Sequence, residues 1–102
     1  MANIELAPEV LGDFQRILNH LTQFAATKPG ARLAGIIQAI DILSQSPLIG
    51  RPVTGGEHSA ALRELIIGRA AHGYVALYRY IPNIDTVFVL ALRHQREETY
   101  KR

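Results

Sequence analysis

The chain contains no cysteine, only two lysines (Lys28 and Lys101), and no long apolar run. Without cysteine there is no disulfide framework and no thiolate nucleophile or thiolate metal ligand, which suits a reducing compartment. No segment approaches the ~18 apolar residues of a membrane span. The N-terminal MANIELAPEV lacks the basic start and apolar stretch of a secretory signal, so the chain reads as cytoplasmic. Gly55-Gly56 is followed by no Lys-Ser/Thr and is no phosphate loop, and no Gly-x-Ser-x-Gly nucleophile turn occurs. Glu97 and Glu98 are adjacent, unlike two carboxylates held across a substrate. His20 reads as a surface residue of a helix, and His58 and His72 as isolated loop residues. Neither a metal nor a cofactor is expected.

What is present describes an ordinary globular domain spanning residues 1–102. A hydrophobic content of 48% with 20% charged residues excludes a disordered chain. At this length roughly 60–70% of the unfolded surface can be buried. The net charge of +2 is too modest to argue for nucleic-acid binding by itself. Of 11 basic residues all but the two lysines are arginine. The planar fork of arginine suits carboxylate and phosphate partners, although a GC-rich genome gives the same bias.

Apolar periodicity lays out the elements. Asn3–Ala7 fits a short first strand. Pro8 opens a helix well because its missing N–H is one of the unpaired donors of a first turn. Val10, Leu11, Phe14, Ile17, Leu18, Leu21, Phe24 and Ala25 then recur at spacings of three and four, which predicts a helix over Pro8–Ala26. Lys28-Pro29-Gly30 ends it, and Leu33, Ile36, Ile37, Ile40 and Leu43 predict a second helix over Ala31–Gln45. From Pro47 to Ala61, prolines and glycines mark a long loop. Leu62–Ile67, Tyr74–Ile81 and Thr86–Arg93 read as strands joined by short turns. The order is β-α-α-β-β-β. Its fold class is α+β, with a helical hairpin on one face of an antiparallel sheet. Phe14, Leu18, Leu21, Ile36, Ile40, Tyr78 and Val89 are expected to share the core.

Strand alternation adds an inference about partners. Tyr74, Ala76, Tyr78 and Tyr80 point one way, and Val75, Leu77, Arg79 and Ile81 the other. On the last strand Val87, Val89, Ala91 and Arg93 oppose Phe88, Leu90, Leu92 and His94. Both faces are apolar, yet two helices cover only one. The second face calls for a partner, self-association or the chain's own tail. Leu77, Phe88, Leu90 and Leu92 are expected to form an apolar groove for a partner protein. Arg79 is expected to reach a carboxylate, with Asp85 the candidate. The last strand runs straight into Arg93-His94-Gln95-Arg96-Glu97-Glu98 and then Tyr100, so cations stand at the end of the sheet, suited to an anionic partner.

The whole chain resembles toxins of the RelE/ParE superfamily, the small partners of bacterial toxin–antitoxin pairs. The resemblance is densest in Ser46-Pro47-Leu48-Ile49-Gly50-Arg51-Pro52, in Leu62-Arg63-Glu64-Leu65, and in Gly73-Tyr74-Val75-Ala76-Leu77-Tyr78-Arg79-Tyr80 with Arg93-His94-Gln95-Arg96-Glu97. The wording is similar to the ParE-like branch, associated with poisoning DNA gyrase. RelE-like members are described as ribosome-dependent messenger-RNA endonucleases. The resemblance implies a cognate antitoxin, assembled as a toxin–antitoxin hetero-oligomer or on a toxin homodimer. One fold hosts both activities, so the branch does not fix the chemistry.

Cleavage through a ribose 2′-hydroxyl needs a base, an acid and cations on the phosphate. The nucleases that this chain resembles carry lysines on the strand matched by Leu62–Ile67, an arginine just after the Gly-Tyr, and an arginine and a tyrosine in the tail. Here those places hold Glu64, Leu65 and Ile66, then Val75, then His94 and Tyr100. The leading expectation is therefore a toxin that works by binding, with Arg93, His94, Arg96 and Tyr100 contacting DNA gyrase. The alternatives are an endoribonuclease using His94, Arg96 and Tyr100 on the ribosome, since imidazole serves as acid or base near neutrality, and an inactive antitoxin-binding member.

Overall fold

A computed structural model describes residues 1–23, 28–53, 61–68, 73–97 and 100. The chain runs β1 (Asn3–Leu6), α1 (Pro8–Gln23), α2 (Pro29–Ile40), β2 (Arg51–Pro52), β3 (Leu62–Ile67), β4 (Tyr74–Ile81) and β5 (Thr86–His94). The five strands form one sheet in the order β1-β5-β4-β3-β2. β1 runs parallel to β5, and the remaining neighbours are antiparallel. The α+β fold with a helical pair on one face is as expected. The two-residue β2 lies within the stretch read as a loop, where a proline at the sheet's edge hides it from any pattern search.

The helices differ from expectation at their ends. Pro29 sits in the first turn of α2, where it needs no hydrogen bond, after Lys28 in a left-handed conformation at φ 56°. α2 stops at Ile40 and tightens into a 3-10 turn over Asp41–Ser44. The end of the first predicted helix, with Phe24 and Ala25, lies outside the described residues, as do His58, His72 and Glu98.

Val10, Phe14, Ile17 and Leu21 of α1 and Ile36 and Ile40 of α2 meet Leu65, Tyr74, Ala76, Tyr78, Val87, Val89 and Leu92 of the sheet in one core. Leu18 is half-buried and stands outside that cluster, while its neighbour Ile17 is buried. Tyr78 is fully buried, and its hydroxyl accepts the Gly50 N–H at 2.8 Å. Gly50 must be glycine: a Cβ there would lie 2.6 Å from the Tyr78 ring and hydroxyl and 2.8 Å from the Glu64 carbonyl.

β4 and β5 are out of simple register. Tyr78 pairs with Val89 but Leu77 pairs with Ala91, so Leu90 is the extra residue of a β-bulge. The bulge reverses the alternation of everything after it. Leu92 was expected on the open face with Leu77, Phe88 and Leu90. It is instead fully buried in the helix-side core, and Ala91 and Arg93 turn outward in its place.

The two flanks of the sheet are finished differently. β1 covers β5 only over Thr86–Val89. Beyond it, the Leu92 N–H donates to the buried Asp13 carboxylate at 2.9 Å, and the Leu92 carbonyl accepts from Arg16 at 3.2 Å. The His94 N–H donates to Glu97 at 3.1 Å, and the same carboxylate oxygen takes Arg16 at 2.7 Å. Side chains of α1 and the tail thus take the place of a neighbouring strand. On the far flank β2 pairs only with Arg63 and Glu64, and the Val53 N–H donates to the Leu62 carbonyl. The chain leaves that ladder at Gly50, whose N–H goes to Tyr78 instead.

Candidate functional site

The charged tail is folded back on the sheet, not displayed as a row of cations. β-strand alternation and the bulge send Arg93 to the outer face, where it pairs in register with Val75. Glu64 is on that face too, opposite in direction to the buried Leu65. Its carboxylate gathers three partners. Tyr100 donates its hydroxyl at 2.6 Å, Arg93 approaches at 3.7 Å and Arg51 at 3.2 Å. The Arg93 guanidinium also lies 5.1 Å from the centre of the Tyr100 ring, within cation–π range. Its Nη1 donates to the carbonyls of His94, Gln95 and Glu97, drawing the backbone after β5 into a tight turn.

Burial chiefly, and then the hydrogen bond and charge of Glu64, push the Tyr100 phenol well above its ordinary value. A phenol held protonated against a carboxylate is a donor and a poor general base. Arg93, with its side chain 12% exposed, turns Nη1 to the chain's own carbonyls and Nη2 toward Glu64, while its buried Nε has no hydrogen-bond partner among the described residues.

His94 takes the other side. It pairs with Tyr74 across the ladder and its ring meets the core-facing Tyr74 ring edge-on at 5.4 Å. Its Nδ1 accepts the Arg96 N–H at 3.0 Å. The four expected target-binding residues are therefore distributed in three settings. Arg93 and Tyr100 are joined on the outer face, His94 is turned toward the helix side, and Arg96 is exposed at the tip of the turn. His94 and Tyr100, two members of the alternative nuclease set, face away from each other across the sheet.

Of the expected apolar groove, Leu77, Phe88 and Leu90 remain half-buried on or beside the outer face, with exposed Arg79 between them in the register. Tyr100 covers the neighbouring half. Asp85, at φ 47° in a left-handed turn, accepts the Tyr80 hydroxyl at 2.6 Å. Arg79 forms no salt bridge among the described residues. Arg63 donates to the carbonyls of Leu48 and Gly50.

Glu64, Arg51, Asp13 and Arg16 are the organising residues that the sequence pattern missed. Glu64 had a visible signal, since alternation from Leu65 places it on the Arg93 face. Asp13 had one as well: an acid in the apolar stripe of a helix needs a buried partner. Among the described residues no three His, Cys, Asp or Glu side chains could hold a metal, and no helix is long and apolar enough to cross a membrane.

Comparison with known proteins places this arrangement. Residues 4–99 match the family of the ParE toxin of type II toxin–antitoxin systems. The chain belongs to that family and is the toxin component of a type II toxin–antitoxin pair. It is similar to the toxin RelE3 of Caulobacter vibrioides, 30% identical over 97 residues that cover 95% of this chain and 98% of the relative. In fold it is similar to a chain of the toxin–antitoxin complex RelBE2 of Mycobacterium tuberculosis. That likeness has a TM-score of 0.62 at 24% identity, over 92% of this chain and 98% of the other. Both branch names of the superfamily occur among these matches, so the chemistry must be argued from the site.

Proposed function

We propose that this toxin arrests growth by binding its target, not by cutting RNA, with DNA gyrase as the target and a cognate antitoxin as its silencer. The observation that carries the reading is Glu64. Where the nucleases resembled by this chain bring cations to a phosphate, this sheet brings a carboxylate, and it neutralises Arg51 and Arg93 and engages Tyr100. The separation of His94 from Tyr100 removes the natural acid–base pair. What remains at the tip is Arg96, exposed and held in place by the Arg93 turn. Arginine and tyrosine anchors of this kind dominate binding energies. The gyrase assignment rests on the resemblance to ParE-like toxins, and the antitoxin surface on the half-buried Leu77, Phe88 and Leu90, an apolar strip open beside Tyr100.

The test is induction without antitoxin, with gyrase supercoiling and transcript integrity measured in parallel. Arg96→Ala should relieve growth arrest and restore supercoiling, whereas His94→Ala should weaken the arrest only mildly. If messenger RNA is cleaved on translating ribosomes and His94→Ala reduces that cleavage ~10²–10⁴-fold with supercoiling untouched, the binding reading is wrong. Leu90→Asp should abolish complex formation with the antitoxin while the domain stays folded. Binding at wild-type strength would move the antitoxin to another surface.

A further inference from the structure

The turn that follows β5 is tied down by backbone and side chains together. The His94 N–H goes to the Glu97 carboxylate at 3.1 Å and the Gln95 N–H to the Gly73 carbonyl at 2.9 Å. The Arg96 N–H goes to the His94 imidazole and the Glu97 N–H to the His94 carbonyl, both at 3.0 Å. Arg93 gathers the carbonyls of His94, Gln95 and Glu97 from the outer face. From α1, Arg16 divides its terminal nitrogens between the Glu97 carboxylate, at 2.7 Å, and the Leu92 carbonyl, at 3.2 Å. It also lies 3.7 Å from the buried Asp13, which accepts the Leu92 N–H. A line of charges thus joins α1 to the last turn of the tail across 81 residues of sequence. Within this frame the Arg96 side chain is exposed and makes no ion pair among the described residues.

We propose that Arg16 is a positioning residue for target binding: through Glu97 it fixes the turn that presents Arg96, so a side chain of α1 sets affinity for the target without touching it. The inference rests on the binding reading above, in which Arg96 contacts the target. Arg93 fixes the carbonyls of the turn, but the His94 N–H, where the turn leaves the strand, is held by Glu97 and so by Arg16. A loose tail would sample many conformations and give them up on binding, whereas a turn already in its bound shape loses little freedom. Folding does not need Arg16. Leu92 is fully buried and its N–H is held by Asp13, while the Arg16 side chain is 34% exposed. The site does need a guanidinium, because only a planar fork reaches a carboxylate and a carbonyl at once, and an ammonium is a single point charge.

The test measures gyrase supercoiling against the concentration of the purified full chain, at a temperature where circular dichroism shows each variant folded. Arg16→Ala should raise the half-inhibiting concentration roughly ten-fold. Arg96→Ala should raise it further, and the variant carrying both changes should be no weaker than Arg96→Ala alone. That non-additivity is the signature of a residue acting through Arg96, since a general loss of packing would add to the Arg96→Ala effect. Arg16→Lys should recover only part of the loss. Glu97→Gln, which keeps an oxygen for the His94 N–H and removes the charge that Arg16 holds, should behave as a milder Arg16→Ala and gives the same cycle if Arg16→Ala fails to fold. In the free toxin the His94 amide should exchange faster in Arg16→Ala, with Leu92 still protected. Additive losses, an unchanged His94 amide, or wild-type inhibition by Arg16→Ala overturns the positioning role and leaves the binding reading standing. A wild-type toxin that leaves supercoiling untouched overturns the binding reading, and the positioning role with it.

Discussion

The β5 flank and the β3 flank of this sheet face the same physical problem and meet it in opposite ways. Any strand that outruns its neighbour leaves a row of hydrogen-bonding groups that invites another chain. On the β5 side a buried aspartate, an arginine one turn later and a tail glutamate fill that row from within the molecule. On the β3 side, among the described residues, β2 pairs only with Arg63 and Glu64, and Ile42, Ile49 and Ile66 are exposed. One edge is closed with charged side chains, and the other is bordered by exposed apolar ones.

That contrast can be broken most forcefully at Asp13. Asp13→Ala leaves the buried Leu92 N–H without an acceptor and should cost about 2–3 kcal/mol in urea unfolding, because a hydrogen bond to a charged group is lost and its partner is orphaned. Asp13→Asn, which keeps an acceptor oxygen, should recover part of that loss. If Asp13→Ala unfolds at the wild-type midpoint, the β5 flank is not sealed as described.

Tyr78→Phe addresses the other flank. Removing the hydroxyl strands the Gly50 N–H that leads the chain away from β3, at a cost of about 1–2 kcal/mol. Free to rejoin the ladder, Gly50 should then lengthen β2 toward Ile66, and Ile66 amide exchange in the lone chain should slow.

Glu64→Gln loosens the tail without touching either flank, at a cost of about 1 kcal/mol or less for partly exposed contacts. The pH dependence gives a sharper reading. The folded Tyr100 phenol titrates above its unfolded value, so its contribution to stability is complete below about pH 10 and fades as pH rises past that ordinary value. Glu64→Gln should bring the Tyr100 titration down. Comparison of alkaline unfolding and phenolate absorbance in wild type, Glu64→Gln and Tyr100→Phe isolates it from Tyr74, Tyr78 and Tyr80, whose values are also raised.

The smallest effect belongs to Arg51→Ala. Its pair with Glu64 is 59% exposed on the arginine side, and exposed pairs contribute about 0–1 kcal/mol. A loss above 2 kcal/mol would mean that β2 depends on this pair more than on Tyr78.

The periodicities of Val10 to Leu21 and Leu33 to Leu43 were legible because a helix stripe repeats over several turns and no single residue decides it. The strands Leu62–Ile67, Tyr74–Ile81 and Thr86–Arg93 were legible for the same reason, and the β-α-α-β-β-β order followed. What escaped depends on single events. The extra residue at Leu90 has no compositional mark, and it turned Leu92 from an expected groove residue into core. The role of Glu64 was half visible: its presence in place of a lysine was read as a missing cation, whereas its partners Arg51, Arg93 and Tyr100 lie 13, 29 and 36 residues away in the sequence. Arg93 and Tyr100 were chosen for their charge and ring, properties shared by residues that hold a tail down and residues that hold a target. Only register distinguishes the two.

The Leu90 bulge has a consequence beyond packing. Which side of the sheet each tail residue occupies is fixed by counting from Val89, and the count includes one extra residue in the register. Were Leu90 to pair with Leu77 in simple register, the phase of everything after it would advance by one. Arg93 would be carried to the helix side and His94 to the Glu64 side, with no functional side chain altered. Such a one-residue slip would change what the end of the sheet presents without changing its composition: the same letters, dealt to opposite faces.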